Sequence, residues 1–159
     1  NQYPPMAGIA ALREAVAAFS LRAEQQGCDL GLAGAEAVTL MGDPHALRIL
    51  VDNLIGNALT HNPAPIQIDV RLALQQTHAV LEVCDSGTGI APADRLRVLE
   101  RFVRLSPGDG KGSGLGLAIV SEIAMLHGGT VELDDSPGGG LTVRVRLPMV
   151  DHRAPLPPG

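Results

Sequence analysis

The stretch IQIDVRLALQQTHAVLEVCDSGTGI, residues 66–90, decides the fold. Ile66, Ile68, Val70, Leu72 and Leu74 alternate with Gln67, Asp69 and Arg71. A period of two gives a strand with one apolar and one polar face. Gln76-Thr77 supplies a turn, Ala79–Cys84 reads as a second strand, and Asp85–Ile90 follows as a glycine-rich turn. A one-sided sheet needs a cover, and the flanking sequence provides it. Upstream, Leu12, Ala15, Val16, Phe19 and Ala23 fall at helical spacing within 8–26, closed by Gly27. A second helix starts after Asp43 with Pro44 at its first position. Its inward face is Leu47, Leu50, Val51, Leu54 and Ala58, and Asn62-Pro63 stops it. Short strands are expected at Leu30–Leu32 and Ala37–Leu40. Downstream come a short helix over 93–101, a polar loop over 103–113, and a third helix over 113–127. That third helix should turn Leu115, Ile119, Ile123 and Leu126 inward. Two closing strands, Thr130–Leu133 and Leu141–Leu147, flank a turn at 136–140. The fold class is α/β: a two-layer sandwich with a mixed, mostly antiparallel sheet covered on one face by three helices. One domain is expected over 1–148, with a Pro-rich tail at 149–159.

Composition excludes several functions. The 159 residues carry a net charge of −5, against the basic excess of a generic nucleic-acid binder. Aromatics are 2%, namely Tyr3, Phe19 and Phe102, too few for a base-stacking platform. Cys28 and Cys84 form no CxxC and no disulfide framework, and read as reduced thiols of a cytoplasmic protein. No apolar run reaches the ~20 residues of a membrane span. The chain opens at Asn1 without an initiator Met, as expected of an excised piece of a longer protein.

Two glycine runs suggest phosphate: Asp85-Ser86-Gly87-Thr88-Gly89-Ile90 after a strand, and Gly112-Ser113-Gly114-Leu115-Gly116-Leu117 at a helix start. Glycine lets a ligand approach the backbone, and a helix N-terminus offers free N–H groups to an anion. Neither run is a common phosphate motif. A P-loop would need glycine where Leu105 stands and Ser or Thr where Gly112 stands. The dinucleotide fingerprint fails at Pro92 and at Leu117. On the second helix, Asn53, Asn57 and His61 form a polar stripe at i, i+4 and i+8. Asn is a poor residue for a helix interior, whereas its amide oxygen is a hard ligand suited to Mg²⁺ shared with phosphates.

These segments, in this order, resemble four sequence boxes of bacterial two-component sensor histidine kinases. Asn53-Leu54-Ile55-Gly56-Asn57-Ala58 resembles the asparagine box, and Asp85–Ile90 the first glycine box. Leu99-Glu100-Arg101-Phe102-Val103-Arg104 resembles the phenylalanine box, and Gly112–Leu117 the second glycine box. Gly42-Asp43, His127-Gly128-Gly129 and Gly139-Gly140 agree as lesser marks. The resemblance implies a Bergerat-type (GHKL) ATP-binding domain whose cofactors are ATP and Mg²⁺. It implies that Asp85 accepts from the adenine amino group, which also disfavours guanine, because a carboxylate repels a carbonyl oxygen. Asn57 is the implied Mg²⁺ ligand and, with Arg101, the implied catalytic pair. Asn53 and His61 stand near the phosphates. Gly87, Gly89, Ile90, Leu115, Leu117 and Thr142 line the nucleotide. Gly112, Ser113, Gly114 and Gly116 form the phosphate-facing end of a lid over 103–111, with Phe102 as its anchor. Arg101 or Arg104 meets the γ-phosphate, and Lys111 is a further candidate or a solvated lid charge.

The implied reaction is transfer of the γ-phosphate to a His on a separate dimerisation and phosphotransfer domain, then to the receiver domain of a response regulator. None of His45, His61, His78, His127 and His152 lies in a helical hairpin with the His-Glu signature, so the acceptor is expected elsewhere. The parent is expected to be an inner-membrane sensor with this domain in the cytoplasm. Three positions depart from the pattern. Thr60 replaces a usual cation, which should cost about 0.5–2 kcal/mol of phosphate binding. Leu99 and Val103 replace aromatic residues. Three rival functions share the fold. A hydrolytic ATPase would need a Glu where Asn53 stands. A Ser kinase and a non-catalytic nucleotide-sensing module complete the set.

Overall fold

The computed structural model describes residues 5–35, 38–61, 65–99 and 116–149. The elements are β1 (Pro5–Ala7), α1 (Gly8–Gln25), β2 (Asp29–Ala35), β3 (Thr39–Met41), α2 (Pro44–His61), β4 (Gln67–Gln75) and β5 (His78–Asp85). After a 3-10 turn at Pro92–Asp94 come α3 (Arg95–Val98), α4 (Gly116–Leu126), β6 (Thr130–Asp135) and β7 (Leu141–Pro148).

The alternating stretch forms the centre of a five-stranded sheet of order β2-β4-β5-β7-β6. Gln76, with φ of 56°, turns β4 back along β5, so that Val70 faces Val83 and Leu72 faces Leu81. β7 then pairs β5, and β6 pairs β7, all antiparallel. Only β2 runs parallel to its neighbour β4. Parallel neighbours cannot be joined by a hairpin, and the chain between them passes through β3 and α2. The mixed, mostly antiparallel sheet is therefore as expected. β1 pairs β3 in a separate two-stranded sheet, which the lead-in sequence did not suggest.

α1, α2 and α4 cover one face. Leu50, Leu54 and Ile55 of α2, Val120 of α4, and Ile68, Val70 and Val145 of the sheet are almost fully buried. All five residues expected on the inward face of α2 are buried. The phase of α4 differs from expectation. Leu117, Val120, Ile123 and Ala124 are buried, Ile119 is half-buried, and Leu126 is 78% exposed. This helix packs on α2 as well as on the sheet, so a wider arc of it is covered than a single apolar stripe would show. Leu115 and the start expected at Ser113 lie outside the described residues.

The opposite face of the sheet is polar. Strand alternation places Cys84, Glu82, Thr142, Arg144, Arg146, Glu132 and Asp134 there. Arg144 lies 3.2 Å from Glu82, 3.3 Å from Glu132 and 3.8 Å from Asp134. Burial pulls the Arg144 guanidinium down, but Glu82 and Glu132 outweigh it and raise its pKa above the ordinary value. Cys28 is buried and Cys84 half-buried, both as free thiols.

Candidate functional site

Asp85 ends β5 at the rim of the helix-covered face, on the same side of the strand as Val83 and Leu81. It is only 8% exposed. Its Oδ1 accepts from the Gly87 N–H at 2.9 Å and from the Leu141 N–H at 3.2 Å. Oδ2 receives no hydrogen bond from the described residues. A buried carboxylate held by one oxygen presents the other as an acceptor of fixed direction.

The two glycine turns interlock around this residue. A Cβ on Gly140 would stand 1.8 Å from the Asp85 carbonyl oxygen, so no larger residue fits there without moving backbone. Gly89 has φ of +74°, and a Cβ on it would stand 3.0 Å from the Gly139 carbonyl oxygen. The turn from Ser136 to Gly140 is closed by the Ser136 N–H bonding the Gly140 carbonyl at 2.8 Å. Ser86 ties the base of the loop to β4: its Oγ accepts from the Gln67 N–H at 2.8 Å. Arg95 holds the far end. Its Nε donates to the Ile90 carbonyl at 3.1 Å, and its Nη2 donates to Asp135 at 2.5 Å. Sequence reading missed Arg95. Its only signal is a charge in a short helix, here 17% exposed and bridging the loop after β5 to the end of β6.

Asn53 and Asn57 stand one turn apart on α2, both half-buried. The Asn53 Nδ2 donates to the Ile49 carbonyl at 2.8 Å, which turns its Oδ1 away from its own backbone. A Cβ on Gly116 would lie 3.6 Å from Asn53 Oδ1 and 3.9 Å from Asn57 Oδ1. The start of α4 therefore meets both amide oxygens. At its other end α4 is tied to the start of α2. His127 Nε2 accepts from the Asp43 N–H at 3.2 Å, and His127 Nδ1 donates to the Ile123 carbonyl at 2.8 Å. The two helices are thus antiparallel. Among the described residues no three His, Cys, Asp or Glu side chains cluster as a metal site. Two converging amide oxygens suit a hard cation that draws its remaining ligands from phosphate and water.

The fold brings Asn53 and Asn57 against Gly116, and separately brings Gly87, Gly140 and Leu141 against Asp85. Thr142 sits on the other side of its strand from Leu141. Expected to line the nucleotide, it pairs with Cys84 and is 3% exposed. Its hydroxyl is engaged by Ser136 at 2.8 Å and by the Cys84 sulfur at 3.4 Å. Its neighbour Leu141 contributes to the Asp85 side, through backbone N–H. Leu117 is buried among the core residues. His61 ends α2, and its side chain lies outside the described residues. So do Arg101, Phe102, Val103, Arg104, Lys111, Gly112, Ser113, Gly114 and Leu115.

A profile described as histidine kinase-, DNA gyrase B- and HSP90-like ATPase matches residues 42–151. The chain belongs to this ATPase family. Among individual proteins it is 41% identical over 122 residues to the sensor-type histidine kinase PrrB of Mycobacterium tuberculosis, covering 76% of this chain and 27% of PrrB. It is 43% identical over 126 residues to the sensor protein kinase PmrB of Pseudomonas aeruginosa, covering 77% of this chain and 26% of PmrB. The chain thus spans about a quarter of the curated relatives it matches. Its structure is similar to the ATP-binding domain of PrrB from M. tuberculosis, with a TM-score of 0.78 and 29% identity over 95% of this chain and all of that one. It is also similar to ShkA, solved full-length in complex with AMPPNP, with a TM-score of 0.83 and 29% identity over 98% of this chain and 33% of ShkA. The architecture is that of histidine kinase catalytic domains.

Proposed function

We propose that this chain binds Mg-ATP between the Asp85 turns and the α2–α4 pair. The γ-phosphate then passes to a His on a separate dimerisation and phosphotransfer domain, and from there to a response-regulator receiver domain. The observation that carries the reading is Asp85, whose Oδ1 is held by two backbone N–H groups. The remaining oxygen suits the exocyclic amino group of adenine and opposes the carbonyl oxygen of guanine. Asn57, with Asn53 beside it, would hold Mg²⁺ through its amide oxygen. When bound, that ion neutralises charge developing on the transferred phosphoryl group. Arg101, Arg104 and Lys111 are proposed as lid cations toward the phosphates.

Little covalent work falls to the chain, since phosphoryl transfer needs chiefly positioning and charge stabilisation. Asn53 has no basic group to activate water. The kinase reading therefore predicts that the chain alone binds ATP but neither hydrolyses it near about 1 s⁻¹ nor labels itself. Among the described residues no helix is long and apolar enough to cross a membrane. A cytoplasmic place in an inner-membrane sensor belongs to the same proposal. The test is incubation with γ-labelled ATP and Mg²⁺, with and without a His phosphotransfer domain from the same parent. Acid-labile label on that domain supports the reading, and strong labelling of a His in the chain itself overturns it.

A further inference from the structure

A nucleoside triphosphate brings several negative charges to one place, yet Asn53, Asn57 and Thr60 of α2 carry no charge. Asn53, Asn57 and Thr60 lie within an arc of about 60° on that helix. The one Arg of α2, Arg48, lies about 140° around the helix from Asn53 and is taken by Asp52 at 2.8 Å and Glu14 at 3.6 Å.

A cation reaches the stripe from the neighbouring helix. Arg22, in the last turn of α1, donates from Nη2 to the Thr60 hydroxyl oxygen at 2.7 Å. Gln26, with its amide turned to satisfy both sides, accepts from Arg22 Nε at 3.3 Å and donates to the Leu59 carbonyl at 3.1 Å. Both contacts are to neutral groups. The half-buried guanidinium is thus held in place, and among the described residues it has no ion-pair partner and its Nη1 no hydrogen-bond partner. The packing leaves room for this arrangement. Phe19 of α1 lies against Gly56, where a Cβ would stand 3.7 Å from the ring, so the two helices approach closely one turn before Thr60.

We infer that Arg22 is a phosphate-binding residue, supplying from α1 the cation that α2 lacks at Thr60. This rests on the Mg-ATP reading and names a residue that reading does not contain. A planar guanidinium held by two neutral acceptors is already oriented, so it loses little freedom on meeting an anion. Its contribution is to the phosphates and not to the base.

The test compares the unsubstituted chain with Arg22→Met, which keeps the apolar stem, and Arg22→Lys, which keeps the charge. Affinities for ATP and for adenosine are measured with Mg²⁺ by displacement of a fluorescent ATP analogue, and thermal stability is recorded alongside. Arg22→Met should weaken ATP three- to thirtyfold, leave adenosine within twofold, and reduce the dependence of ATP affinity on salt. Arg22→Lys should retain most of the ATP affinity. A second cation on α2 itself, in Arg22→Met combined with Thr60→Arg, should restore it. Equal losses for ATP and adenosine, or no loss for either, would show that Arg22 merely joins two helices and overturn the inference alone. If the unsubstituted chain binds no ATP, the nucleotide reading falls and this inference with it.

Discussion

Asp85→Asn isolates the chemistry of the base site because the replacement has the same shape. In the native chain, Oδ1 receives two backbone N–H bonds, at 2.9 and 3.2 Å, and only Oδ2 is left for a ligand. The Asn side chain has two ways to sit. It can keep its oxygen under Gly87 and Leu141, in which case an NH₂ group replaces Oδ2 and faces the adenine amino group donor to donor. Or it can turn over, and then two backbone N–H groups lose their acceptor at a site that is 8% exposed. The first costs less, because a buried unmet donor is worth about 1–3 kcal/mol and there would be two of them. The expected loss is then one charge-assisted hydrogen bond, about 1.5–3 kcal/mol, or roughly 10- to 150-fold in ATP affinity. Guanine has a carbonyl oxygen where adenine has its amino group, so the preference for ATP over GTP should shrink or reverse. Calorimetric titration with both nucleotides measures the ratio. A variant that binds ATP as tightly as the native chain, and still rejects GTP, would refute the role of Asp85.

Gly140→Ala should be the most damaging small change in the site. Its Cβ would fall 1.8 Å from backbone oxygen, and overpacking that cannot relax costs about 1–3 kcal/mol or more. Thermal melting together with lost ATP binding checks this. Arg95→Ala should lower ATP affinity about three- to tenfold with a small change in melting temperature, because it frees Ile90 and Asp135 without opening the core; this magnitude is that of a partly exposed charged hydrogen bond. His127→Ala removes the tie between α4 and the start of α2. It should cost about 1–2 kcal/mol in denaturant unfolding, and equal stability would contradict the brace. Arg144→Leu leaves Glu82, Glu132 and Asp134 facing one another. The chain should lose about 1–2 kcal/mol, and the loss should shrink in high salt.

Much of the fold is legible because its signals are local. The strict alternation of Ile68, Val70 and Leu72 shows a strand with one buried face, and Asp43-Pro44 marks the start of α2 at the observed residue. The phase of α4 is less legible. Its eleven residues are apolar nearly all round, so packing on both α2 and the sheet decides which are buried. The β1–β3 pair has no sequence signature, because three-residue strands gain their definition from each other. At the candidate site, glycine spacing and the Asn stripe single out the segments that the fold sets around Asp85 and against Gly116. What escapes is contact across long sequence distances. Arg22 with Thr60 and Arg95 with Asp135 are ordinary surface charges until the helices and loops are brought together. Leu141 and Thr142 show how a strand divides neighbours: adjacent in sequence, they face opposite sides of the sheet.

The most direct test of the account is calorimetric titration of the native chain with ATP, with and without Mg²⁺, against GTP. The account predicts micromolar binding of ATP that depends on Mg²⁺ and clear preference over GTP, reflecting Asn57 and Asp85 respectively. No binding at millimolar ATP, or equal binding of the two nucleotides, would contradict it.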